Sequence, residues 1–292
     1  MKKILFAAAA LSALVGAHAE GHYVPGVEGM QAASVPPPGL YYLGYMANYN
    51  AEQFKAPGGS TALPGENKAT IFALANRLAW ITNTKVLGAD YGVEAIVPVQ
   101  STSLTIKAAG LSDTQSGFGD VYLGPLILSW HGANWDAVGA AGFWLKSADS
   151  SSPASAGKGF ASTMLTAGAT YYFDSAKTLS GTALMRYEIN DSKSNGIKPG
   201  DQISLEWGVG KMMGNVQVGL VGYDQMQMSN DSGTGASSNK SERHAIGAEV
   251  ALPLMSAGVI LKAAAYQEYK AQAGTGAEPL GNLVRFTFVK FL

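Results

Sequence analysis

Beyond residue 39, this chain alternates. In 40–50, Tyr41, Leu43, Tyr45, Ala47 and Tyr49 share one face, and Tyr42, Gly44, Met46 and Asn48 share the other. In 178–190, Leu179, Ala183, Met185, Tyr187 and Ile189 oppose Ser180, Thr182, Arg186 and Glu188. The same period of two runs through 86–99, 203–210, 244–252, 258–268 and the closing strand around Val284, Phe286 and Phe288. Successive side chains of a strand point to opposite faces, so this pattern predicts strands with one apolar face. Weaker alternation at 69–81, 117–130, 135–146, 161–173 and 216–228 brings the expected count to twelve. The expected connections alternate in length. Long ones fall at 51–68, 100–116, 147–160, 190–202, 229–243 and 269–281; short ones fall near 82–85, 131–134, 174–177, 213–215 and 254–257. An even strand number with short periplasmic turns and long extracellular loops is the pattern of an outer-membrane barrel. Trp80, Trp130 and Trp135 all flank short turns. That predicts an aromatic girdle at one rim.

Composition narrows the choice. Charged residues make up 14% of the chain, where a water-wetted surface wants about a quarter or more. No stretch beyond the leader reaches the ~18 apolar residues of a spanning helix. A membrane location therefore requires a closed barrel, which satisfies its backbone groups strand to strand. An exported β-sandwich also alternates, but it lacks the strict long–short beat of connections and would need more surface charge. The first residues, Met1-Lys2-Lys3, then the apolar Ile4 to Gly16, then Ala17-His18-Ala19, are laid out as a cleaved secretory signal. We therefore expect residues 1–19 to be a signal peptide, 20–39 an N-terminal segment and 40–292 the barrel. The mature chain would carry 18 basic and 21 acidic residues, no footprint for nucleic acid. It has no cysteine, hence neither disulfides nor thiol chemistry. The chain ends VRFTFVKFL, an alternating aromatic strand of the kind read by barrel-assembly machinery, with Leu292 where a terminal aromatic is common.

The polar face of each strand is expected to line the lumen. It offers the acids Asp90, Glu94, Asp120, Glu188, Glu206, Glu249 and Glu268 and the bases Arg77, Arg186, Lys262 and Arg285. Each, taken singly, is more often a paired charge that fills the interior. Together they fix the faces, because a charge towards lipid costs ~2–4 kcal/mol at the midplane. Tyr42, Met46 and Tyr122 fall on the same parity and suggest an amphipathic path. Twelve strands enclose more space than side chains alone fill, so water, a ligand or a plug must occupy the remainder. The segment GHYVPGVEGMQAASVPPPG at 21–39 precedes the first strand. It is expected to fold back and constrict the lumen, with His22, Tyr23, Pro25, Pro36, Pro37 and Pro38 as its contact residues. Prolines favour a stiff polyproline path and glycines a close backbone approach. A disordered leader is the alternative.

No enzyme signature stands out. His22, His131 and His244 form no metal-spaced pair, and no nucleophile elbow is present. A Ser–His pair assembled across strands stays open as a hydrolase reading. We expect no catalytic residues, no metal and no cofactor.

GHYVPGVEGM, PPPG running into LYYLGY, NRLAW at 76–80, LGADYG at 87–92 and GFGDVYLGPLILSWHG at 117–132 resemble the putative meta-pathway of phenol degradation family. The resemblance implies an outer-membrane β-barrel associated with the breakdown of aromatic compounds. It also implies a role in passive uptake of small hydrophobic or aromatic solutes, with outer-membrane lipids as surroundings. A closed barrel that binds partners through its loops is the other reading.

Overall fold

The computed structural model describes residues 21–234, 236 and 238–292; the expected signal peptide, 1–19, lies outside the described residues. Thirteen strands follow in order. The first five are β1 (Gly39–Lys55), β2 (Asn67–Val86), β3 (Ala89–Ile106), β4 (Leu111–Phe118) and β5 (Tyr122–His131). Then come β6 (Trp135–Trp144), β7 (Ser162–Tyr172), β8 (Leu179–Asn190) and β9 (Gln202–Met213). The last four are β10 (Val216–Gln227), β11 (Glu242–Leu254), β12 (Val259–Gln272) and β13 (Glu278–Phe291).

All pairings are antiparallel. β13 returns to β1, from Tyr41 opposite Phe291 to Lys55 opposite Glu278, so the sheet closes. β4 and β5 both pair with β3, β4 along its 99–106 stretch and β5 along 90–96. They are two halves of one stave, interrupted at 119–121, and the barrel therefore has twelve staves.

The faces are those of a lipid-bathed barrel. Phe72, Leu78, Trp80, Phe143, Leu165, Leu220, Ile246 and Phe286 are exposed on the outside, whereas Glu188, Glu206, Glu249 and Arg285 are buried inside. Apolar-out and polar-in is the order lipid demands. Trp80 and Trp135 are exposed near the short-turn rim, and Trp130 donates to the Leu87 carbonyl at 3.1 Å beside them.

Three expected long loops are shorter than the polarity of their sequence suggested. Residues 100–116 form a β3–β4 hairpin closed by a 3₁₀ turn at Lys107–Ala109, with Gly110 at φ 63°. Between β1 and β2 only 56–66 remain, and between β12 and β13 only 273–277. The reason is that hydrogen bonding continues beyond the apolar belt. There the alternation is of hydroxyls, as where Ser116 Oγ donates to Ser101 Oγ at 2.8 Å and Thr114 Oγ1 to Ser103 Oγ at 3.1 Å.

Candidate functional site

Residues 21–38 add no strand to the wall. They run inside it, from the long-loop rim at His22 to the short-turn rim at Pro37, held by inward side chains. At the upper end Glu188 accepts the backbone N–H of His22 at 3.1 Å and of Tyr23 at 3.0 Å. The His22 ring lies between Glu188 (3.3 Å) and Asp120 (3.5 Å). It stacks on Trp144, with centroids 5.5 Å apart, and meets the edge of Phe160. Asp120 sits in the interruption between β4 and β5 and fastens the loop above. It accepts the N–H of Ser147 (2.8 Å), Ala148 (2.9 Å) and Lys158 (2.7 Å). Burial, with Arg243 and Lys193 nearby, lowers the Lys158 ammonium in that loop to about 8.

Midway down, Tyr23 donates its hydroxyl to Glu206 and accepts from Arg186 Nη1 at 2.6 Å. The Arg186 guanidinium lies 4.2 Å from the Tyr23 ring centroid, a cation–π distance. Glu28 follows. Its Oε1 accepts from Arg186 Nη2 at 2.7 Å and from Arg77 Nη1 at 3.1 Å. Arg77 also pairs through Nε with Glu94 at 2.5 Å. Next, Arg285 donates to the Val27 carbonyl and pairs with Glu249; Lys262 stands 3.4 Å from the Glu28 carbonyl and 3.9 Å from Glu249. Gly29, at φ 69°, passes so close to this pair that a Cβ would lie 1.6 Å from Glu249 Oε2; only glycine fits there.

Below the charges the contacts become apolar. Met30 packs with Val221, Tyr223, Tyr266 and Leu283. Ala33 packs with Tyr41, Ile81, Ile127, Val138 and Leu184. Ser34 meets the Tyr172 hydroxyl at 3.2 Å, and the Pro37 carbonyl accepts from Tyr41 at 2.7 Å. Pro25 is buried, Pro36 is half-buried, and Pro37 and Pro38 are exposed at the mouth.

The structure brings Arg77, Glu94, Tyr122, Arg186, Glu188, Glu206, Glu249, Lys262 and Arg285 to one interior. Glu268 lies higher, accepting from Tyr49 (2.7 Å) and Tyr223 (2.8 Å). Asp90 stands apart, paired with Lys85 at 2.6 Å near the short-turn rim.

Tyr42 and Met46 are a correction. They face outward, and Met46 is 42% exposed. The β1–β13 register sets Met46 opposite outward Phe286 and Ala47 opposite inward Arg285. The reason is hydrogen bonding. The face carrying Tyr41, Tyr45 and Tyr49 finds partners inside at Pro37, Arg77 and Glu268, which hydrocarbon could not supply. Tyr42 is served on the outer face by Asn76 at 2.8 Å.

Sequence reasoning missed Glu28, Tyr45, Arg243 and Glu278. Arg243 pairs with Glu278 at 2.9 Å and Glu268 at 3.5 Å. It is the second residue of β11, in what reads as loop sequence. Glu28 is the sole carboxylate in 21–38, and that singularity beside an interior holding bases was the available signal.

Each of the described histidines pairs with acids. His131 pairs with Asp136 at 2.9 Å and His244 with Asp224 at 2.6 Å. Ser162 Oγ lies 3.1 Å from His22 Nδ1, but it also donates to Glu188 at 3.0 Å and is buried. Among the described residues no cluster of histidines and acids is arranged to hold a metal.

The family model described as Putative MetA-pathway of phenol degradation matches residues 51–285. No curated protein matches the chain. Among solved structures, an outer membrane channel from Pseudomonas putida F1 is similar with a TM-score of 0.77 at 12% identity, over 92% of this chain and 100% of that one. The β-domain of the Bordetella autotransporter BrkA gives 0.51 at 11% identity, over 88% and 100%. The transport unit of the Escherichia coli autotransporter AIDA-I gives 0.51 at 10%, over 88% and 91%. These likenesses establish a shared outer-membrane barrel fold.

Proposed function

Because this chain belongs to the Putative MetA-pathway of phenol degradation family, we propose that it is an outer-membrane channel for passive uptake of small hydrophobic or aromatic solutes. One observation carries the reading. The interior of a closed twelve-stave wall is filled by a segment, 21–38, that contributes no strand to it. Its grip comes from side chains, so it can leave without breaking the barrel. On this reading the segment is a plug entering from the periplasmic end, where the short turns lie, and residues 1–19 are removed on export. The wall folds with the barrel-assembly machinery and sits among outer-membrane lipids. Gating then needs no cofactor; the solute moves down its gradient. The similar Pseudomonas putida protein is itself described as an outer membrane channel, which accords with this role.

The filled lumen also favours a second reading, a closed barrel whose long loops bind partners. Uptake separates the two. The initial rate of entry of a labelled small phenol is measured in a porin-deficient Gram-negative host with and without the chain. The channel reading expects faster entry with the chain; equal rates would leave the interaction reading ahead.

A further inference from the structure

Around residues 27–29 the wall presents four cations, Arg77, Arg186, Lys262 and Arg285, but three carboxylates, Glu94, Glu206 and Glu249. The fourth carboxylate comes from the segment itself, as Glu28. A charge taken from water needs a partner, and at this level the wall is one anion short, Glu188 being engaged higher up by His22 and Tyr23.

Glu28 meets this need imperfectly. Its Oε1 receives both arginines, while Oε2 has only the Tyr45 hydroxyl at 3.4 Å. Arg186 Nε is left buried with no hydrogen-bond partner. A guanidinium prefers a two-oxygen fork, and a carboxylate free to orient could provide it. The second group on Arg186 is the ring of Tyr23, whose hydroxyl is held by Glu206. The segment thus lays a phenol ring and a carboxylate side by side on one guanidinium.

We propose that Arg77 and Arg186, with Tyr45 and Glu206, form a luminal binding site for small phenolic carboxylates, which the chain's own Tyr23 and Glu28 occupy when the segment is in place. The solute's carboxylate takes the two arginines and its hydroxyl takes Glu206. Solute and segment then compete for one site. This refines the solute class within the channel reading and rests on the segment being removable.

The test is equilibrium binding of labelled para-hydroxybenzoate to the full chain in detergent micelles, with phenol as the neutral control. Two variants loosen the segment's hold on the site: Glu28→Gln, which keeps the shape and removes the charge, and the double change Tyr23→Ala with Glu28→Ala, which vacates it. A site filled by its own chain binds ligand more weakly by the fraction of time it is free, so vacating it should tighten para-hydroxybenzoate by at least ~10-fold in the double variant and by less in Glu28→Gln. Phenol should gain little, and adding Arg77→Gln and Arg186→Gln should abolish the gain. No gain in either variant, or an equal gain for phenol, would overturn the proposal. If the double variant does not fold, Glu28→Gln decides. Binding in micelles needs no flux, so a non-conducting barrel can still support the site, and a conducting one can refute it.

Discussion

Replacing Glu249 by alanine should lower the stability of the barrel by roughly 3–5 kcal/mol, the cost of removing one partner from a buried ion pair. Glu249 and Arg285 face each other on β11 and β13, and both side chains are 0% exposed. Without Glu249, the Arg285 guanidinium keeps Thr287 Oγ1 at 3.1 Å and the Val27 carbonyl, and no carboxylate. Lys262 and the backbone N–H of Met30 also lose an acceptor. Urea unfolding in micelles, followed by tryptophan fluorescence, should show the fall in midpoint. Replacing both partners, Glu249→Leu with Arg285→Met, should recover most of it, because a pair of apolar groups leaves no charge stranded. An unchanged midpoint for Glu249→Ala would mean that water reaches the pair.

Leu220→Arg should cost ~2–4 kcal/mol in a lipid bilayer, the penalty for a cation on the lipid face near the midplane. Leu220 is 58% exposed and lies midway up β10, between Val209 of β9 and Ala248 of β11. On the outside of a soluble sheet the same change would be nearly neutral. Comparing unfolding in lipid vesicles for Leu220→Arg and for the loop change Ser238→Arg tests the face assignment. Equal effects at the two positions would contradict it.

The wall was legible because lipid enforces a simple rule at every second residue. Arg186, Glu188, Glu206, Glu249 and Arg285 fell on their faces for that reason. The rule weakened where side chains are amphipathic. In β1 a tyrosine face competes with one of tyrosine, glycine, methionine and asparagine, and hydropathy ranks them nearly alike; phenol hydrogen bonds, set by residues far along the chain, turned Tyr41, Tyr45 and Tyr49 inward. It also failed above the membrane. Ser101, Ser103, Thr114 and Ser116 read as a loop because they are polar, yet they continue a ladder. The interruption at 119–121 left no mark in the pattern; it exists because Asp120 serves the backbone of the loop above it. The part played by Glu28 required knowing which bases converge on the lumen axis, and that depends on the register of β2, β8, β12 and β13.

The most direct measurement is single-channel conductance in a planar bilayer for two forms, the chain with 21–38 and the chain without it. If the barrel is a channel filled by this segment, the intact form should be closed or poorly conducting, and the deletion should give discrete, larger steps. A folded deletion variant that stays silent would contradict the channel account.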